Sequence, residues 1–214
     1  LRKTKSEKKL LNVNYTYKKD DNNNVKVFFD KYKMLVSFKK DIWYLNVDSP
    51  NIKGNINWPI KNSEKNRVVA RLRYLNMNQF NYFSEPSDLP YLNLVSKQVK
   101  VGNLHLDNVE VLTAPTENSL IFERFNFNNI NLSMDGSGEW SHKNKKMETF
   151  FKASFSSNNL GRALKGLGYT GLIRKGKIKS ELVGLWNGSP DQFKFSNFDG
   201  TLKFKSNNGE VLQV

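Results

Sequence analysis

Apolar and polar residues alternate with a period of two through most of this chain. In Val68-Val69-Ala70-Arg71-Leu72-Arg73-Tyr74, one parity reads Val, Ala, Leu, Tyr and the other carries both arginines. Ile130, Leu132 and Met134 alternate with Asn131, Ser133 and Asp135; Phe193 and Phe195 flank Lys194; Leu202 and Phe204 flank Lys203. A strand with one buried face requires this period, because successive side chains leave opposite faces. Further alternating runs begin near Val25, Tyr32, Ile42, Ile52, Val99, Val109, Leu120, Phe150 and Lys177. Clusters such as Lys143-Asn144-Lys145-Lys146 and Ser206-Asn207-Asn208-Gly209 separate them as turns. The pattern predicts a mainly all-β chain, an antiparallel sheet with one apolar and one polar face.

Two segments depart from the alternation. After Ser157-Asn158-Asn159, apolar residues fall at Leu160, Ala163, Leu164 and Leu167, the spacing of one helix face. Ser or Asn supplies an N-cap and Gly166 or Gly168 a stop, so a short amphipathic helix is expected near 158–167. Residues 76–90 are Asn- and Pro-bearing and irregular, and are expected to join two sheet segments. A weak repeat accompanies these features: Gly54-x-x-x-Trp58 and Gly136-x-x-x-Trp140 are each followed by a polar turn and an alternating strand. Repeats of this kind mean stacked β-units, each covering its neighbour's edge.

Composition narrows the function classes. Aromatics make up 13% of the 214 residues, which disordered chains do not carry. The formal charge of +14 invites nucleic acid or an anionic membrane as partner. Abundant Asn beside Lys favours a compositional origin and a solvated polar face instead. A nucleic-acid-reading sheet interleaves aromatics with basic residues on one face, whereas here Phe and Leu share one parity and Lys and Arg the other. No nucleic-acid partner is expected. The absence of cysteine excludes disulfides and thiolate metal sites. The two histidines, His105 and His142, have no second ligand at metal spacing and read as surface residues. Gly166-Leu167-Gly168-Tyr169-Thr170-Gly171 has dinucleotide-fingerprint spacing, but it follows a helix and precedes a strand, the reverse of what a pyrophosphate needs. Gly136-Ser137-Gly138 lacks the spacing of a nucleophile elbow. Neither an enzyme nor a cofactor is expected. No apolar run reaches the ~20 residues of a spanning helix, and the start at Leu1 reads as that of a segment of something longer.

The last ninety or so residues carry a resemblance. Asn158-Asn159-Leu160-Gly161-Arg162-Ala163-Leu164, then Leu167-Gly168-Tyr169 and Gly176-Lys177-Ile178, form one part of an ordered series. Leu182-x-Gly184-Leu185-Trp186-Asn187-Gly188-Ser189-Pro190-x-x-Phe193, Phe198-Asp199-Gly200-Thr201-Leu202 and Gly209-Glu210-Val211 continue it. Upstream, Leu89-Pro90 with Leu92 and Leu94, the Gly102-to-Leu106 stretch and Gly136-Ser137-Gly138-Glu139-Trp140 keep the same order. Together these resemble the YhdP family of AsmA-like proteins. The chain departs from the family pattern in being richer in Lys and Asn, and it lacks the family's membrane anchor.

The resemblance implies an extended, twisted antiparallel sheet folded into an open taco-like groove of repeated units. One unit would end, with a connecting loop, within 1–90, and a second with the inserted helix would occupy 91–214. It further implies a periplasm-spanning protein, anchored in the inner membrane through a segment not present here, that carries phospholipid between inner and outer membranes. The partners would be phospholipid acyl chains and the two membranes. Parity assigns the inner, lipid-facing side to Ile52, Ile56, Leu72, Tyr74, Ile130, Leu132, Met134, Phe151, Ala153, Phe155, Ile178, Leu182, Phe193, Phe195, Leu202 and Phe204. An alternation of this kind fits a closed core equally well. A structural or adhesive β-domain without lipid cargo is therefore the competing expectation.

Overall fold

The computed structural model describes residues 15–19, 25–29, 32–79, 85–101, 104–128, 131–143, 146–166, 173–193 and 195–211. Among these residues the alternating runs form thirteen strands of one sheet, ordered as in the sequence. They are β1 (Tyr15–Lys19), β2 (Val25–Phe29), β3 (Tyr32–Lys39), β4 (Ile42–Asp48), β5 (Ile52–Pro59) and β6 (Val68–Asn76). After a crossover come β7 (Leu92–Val101), β8 (Leu104–Pro115), β9 (Ser119–Asn128), β10 (Ser133–Lys143), β11 (Lys146–Ser157), β12 (Ile173–Asn187) and β13 (Phe198–Val211). The strands β2 to β5 begin at the four residues the alternation marks. The sheet is open, since β1 and β13 each have one partner strand.

One pair breaks the antiparallel order. β6 and β7 run parallel, Val68 beside Leu92 and Leu75 beside Val99. A parallel pair cannot be joined by a hairpin, because the chain must first return the full length of the strand. That return runs from 77 to 91, over most of the irregular stretch expected at 76–90, and its described residues are 77–79 and 85–91. Two 3₁₀ turns, Met77–Gln79 and Pro86–Asp88, lie within it. We call this segment the strap.

Between β11 and β12 stands the single α-helix among the described residues, α1 (Leu160–Gly166). Asn159 caps it, its Oδ1 accepting the Arg162 backbone N–H at 3.1 Å. Ala163 is buried and faces inward, as its helical spacing requires. Phe193 and Phe195, whose alternation suggests a strand, instead belong to the connection after β12. There Pro190–Gln192 and Phe195–Asn197 are 3₁₀ turns. Pro190 sits at the start of the first turn, where its fixed φ and missing N–H suit a turn and not a ladder.

Candidate inner apolar face

Directly paired residues in a sheet leave the same face, so the register shows which side chains line up across the strands. One such row begins at Val36 on β3 and continues through Leu45 and Ile56 to Ala70 on β6. It crosses the parallel pair to Leu94, then passes Val111 and Phe125 to Gly136. Ala153, Leu182 and Leu202 complete it on β11, β12 and β13. No polar residue interrupts the row from β3 to β13. At a strand spacing of about 4.8 Å it measures roughly 50 Å along the sheet. The neighbouring row on the opposite face reads Leu35, Asn46, Asn55, Arg71, Val95, Glu110, Asn126, Asp135, Ser154, Glu181 and Lys203. The sheet is one-sided.

Burial along the inner face is uneven. In the middle, Ala70, Leu72, Leu75, Val99, Val109, Phe127, Met134 and Ala153 form one buried cluster, with Ile52, Ile56, Leu132, Phe151 and Phe155 packed against it. No second sheet covers them among the described residues, so the sheet buries this face by curling on itself and by laying the strap across it. Met77 of the strap packs on the cluster, and Pro86 is buried. His142 shares inner parity with Trp140 on β10, and its Nδ1 lies 2.5 Å from Oε2 of Glu85 on the strap. Thr113 donates its hydroxyl to the Pro90 carbonyl at 3.0 Å. Asn62 holds the end of the strap, accepting from Tyr91 N at 2.7 Å and donating to Tyr91 O at 3.0 Å.

Toward the ends of the sheet the same face opens. Phe38, Trp43 and Trp58 are cross-strand neighbours on β3, β4 and β5 and are 45%, 44% and 47% exposed. At the other end, Leu202 and Phe204 on the edge strand are 49% and 69% exposed. The repeat identified in the sequence spans these environments. Gly54 and Gly136 both lie beside a bulge, and Trp58 and Trp140 both point inward, yet Trp140 is 3% exposed. Its indole Nε1 is buried without a hydrogen-bond partner.

Inner-face glycines allow the curl. A Cβ added at Gly138 would meet the Phe150 carbonyl oxygen and lie 2.6 Å from Cδ2 of Phe151; one at Gly184 would lie 2.5 Å from Cζ of Phe198. The rings of Phe151 and Phe198 thus press against backbone that carries no side chain. Phe198 also meets Phe193 edge-on at 5.9 Å, and Phe193 meets Trp186 at 5.1 Å.

These findings sort the residues assigned by parity. Ile52, Ile56, Leu72, Leu132, Met134, Phe151, Ala153 and Phe155 gather at the central cluster. Ile178 and Leu182 continue the face on β12, and Leu202 and Phe204 extend it onto the open edge. Tyr74 is a correction: a bulge at Lys53/Gly54 places it opposite Lys53 and turns Leu75 inward instead. Phe193 is a second correction, since it packs on Trp186 and Phe198 in a connection and not on a strand. Ile130 and the side chain of Phe195 lie outside the described residues. Parity alone missed the strap contact Glu85–His142 and the exposed aromatic rim of Phe38, Trp43 and Trp58. The signals were present: an irregular segment between two sheet regions, and tryptophans on the inner parity.

A family model described as YhdP protein matches residues 9–214, while comparison with curated proteins and with solved structures returns no match. The match takes in the strap, the apolar row and both exposed ends, so the chain belongs to the YhdP family of AsmA-like envelope proteins.

Proposed function

We propose that this chain is a segment of a periplasm-spanning protein that carries phospholipid between inner and outer membranes, its inner face receiving the acyl tails. The observation that supports the reading is the uninterrupted apolar row from β3 to β13. An acyl chain in water costs about 0.8 kcal/mol per CH₂, so a sixteen-carbon tail costs on the order of 12 kcal/mol to expose. A row of apolar side chains lowers that cost by contact alone, with no reaction chemistry. The anchor to the inner membrane would lie in another segment.

Photo-crosslinking tests the reading. A benzophenone residue at Leu45 or Leu202, on the inner face, should capture phospholipid in cells, and one at Asn46 or Lys203, on the opposite face, should not. Equal labelling from both faces, or none from either, would sink it. The competing reading, a structural or adhesive β-domain, draws on the central cluster, where the curl and the strap already fill the face with protein. It expects the purified chain to take up no lipid, which native mass spectrometry after mild purification reads directly.

A further inference from the structure

The tip of the β3–β5 meander has a chemistry that lipid carriage does not require. Phe38, Trp43, Trp58 and Ile60 are 45%, 44%, 47% and 58% exposed. The first three lie side by side across the strands, with Phe38 and Trp43 ring centroids 4.7 Å apart. Ile60 joins them where its N–H bonds Asp41 O at 2.9 Å. Around this patch stand the exposed lysines Lys39, Lys40, Lys61 and Lys65, against the exposed acids Asp41 and Glu64. Contiguous exposed aromatics on a soluble surface mark an interaction site.

Two kinds of partner use exposed aromatics, and the lysines separate them. Protein interfaces concentrate Trp, Tyr and Phe but deplete Lys. The membrane–water interface takes both: Trp sits at headgroup depth with its ring in the apolar boundary, and Lys pairs with anionic headgroups. We infer that the β3–β5 tip docks on the surface of an anionic phospholipid bilayer, with Trp43 and Trp58 inserting and Lys39 and Lys61 on the phosphates. The sheet would then meet the bilayer where its inner face is open. The docking stands independently of whether lipid travels along that face.

Flotation of the full chain with vesicles of phosphatidylethanolamine and phosphatidylglycerol tests it, with phosphatidylcholine vesicles as comparison. The chain should float with the anionic vesicles, and Lys39→Gln and Lys61→Gln should each weaken binding about five-fold, the worth of one surface lysine. Brominated phosphatidylglycerol should quench Trp43 and Trp58 while Trp140 and Trp186, 3% and 5% exposed, stay bright. Trp43→Ala with Trp58→Ala should abolish the quenching and weaken flotation at least ten-fold. Should that pair disturb folding, Lys61→Gln, which lies beyond the strands, reads the same contact. No flotation, equal flotation on phosphatidylcholine, or binding unchanged in these variants overturns the docking. A chain that fails to float yet captures lipid at Leu45 loses this inference and keeps the conduit.

Discussion

Gly138→Ala tests the curl on which burial of the inner face depends. Gly138 pairs with Phe151 across β10 and β11 and with Phe122 across β9 and β10. An added methyl would fall within van der Waals range of the Phe150 carbonyl oxygen and 2.6 Å from Cδ2 of Phe151. The ring could rotate, but the carbonyl belongs to the sheet ladder and cannot move without parting the two strands. Overpacking of this kind costs about 1–3 kcal/mol, and more where backbone must shift; we expect about 2–4 kcal/mol. In a chain of this size each kcal/mol lowers the melting temperature by roughly 2–4 °C, so the loss should be roughly 5–15 °C. Gly136→Ala should cost less, since its nearest neighbours stand at 2.9 Å. Ser137→Ala, on the exposed face, should stay within ~0.5 kcal/mol of wild type. Parting the strands would also admit water to Trp140 and shift its emission to the red. A Gly138→Ala protein that melts within ~0.5 kcal/mol of wild type, with Trp140 emission unchanged, would refute the close approach of β10 and β11.

Leu182 and Leu202 face each other across β12 and β13 but are 8% and 49% exposed, so Leu182→Ala should cost about 2–3 kcal/mol and Leu202→Ala under ~1 kcal/mol by chemical denaturation. Equal costs would mean the edge is covered. Lys40 and Asp41 hold positive φ of 51° and 61° in the β3–β4 turn, a conformation that favours Asn-Gly. Lys40→Asn with Asp41→Gly should therefore stabilise the chain by about 1 kcal/mol, read as a raised melting temperature; a lowered one would contradict the turn geometry. Glu85→Ala removes a pair whose side chains are 31% and 43% exposed, so global stability should fall by no more than about 1 kcal/mol. Hydrogen exchange over 85–91 should nonetheless accelerate, and an unchanged exchange profile would show that the pair does not hold the strap.

The sheet was legible because a one-sided strand leaves a period of two in its sequence, and β2 to β5 begin where the alternation marks them. Bulges were not legible. Each adds one residue to one strand and so exchanges inner and outer parity beyond it, which is why Tyr74 yields its place to Leu75. On β7 Ser96 and Val99, three apart, are both buried although the register with β6 and β8 is unbroken, a local departure from alternation that periodicity does not show either. Residues 76–90 read as irregular, but periodicity cannot tell whether such a segment folds over a face or beside it. Alternation also has no term for an edge. Leu202 and Phe204 have the inner parity the sequence gives them, yet β13 has a neighbour on one side only, and they stay in water. The aromatic rim follows the same logic: Trp43, Trp58 and Trp140 share the inner parity, and only the strap and the curl decide which of them is covered.

The strap sets the two functional readings against each other most directly, and magnitudes weigh between them. A tail moving from the exposed β3–β5 end toward β13 meets Met77 and Pro86 lying across its course. At the Tyr91 end the strap is tied by two Asn62 bonds, at 2.7 and 3.0 Å, and by the Arg67 guanidinium 5.6 Å from the Tyr91 ring centroid. Toward its middle it is tied by the Glu85–His142 pair, whose partial exposure makes it worth no more than about 1 kcal/mol. The segment is continuous with β6 at one end and β7 at the other, and Met77 and Pro86 add packing to these polar ties. Lifting it would lose that packing and the Thr113–Pro90 bond as well as the ion pair, a cost to set against the on-the-order-of-12 kcal/mol that exposing a sixteen-carbon tail would require. On the carriage reading proposed above, a tail crossing the middle of the face would have to displace Met77 and Pro86. On the closed-core reading the strap stays seated, so hydrogen exchange over 85–91 should be as slow as in the strands beside it.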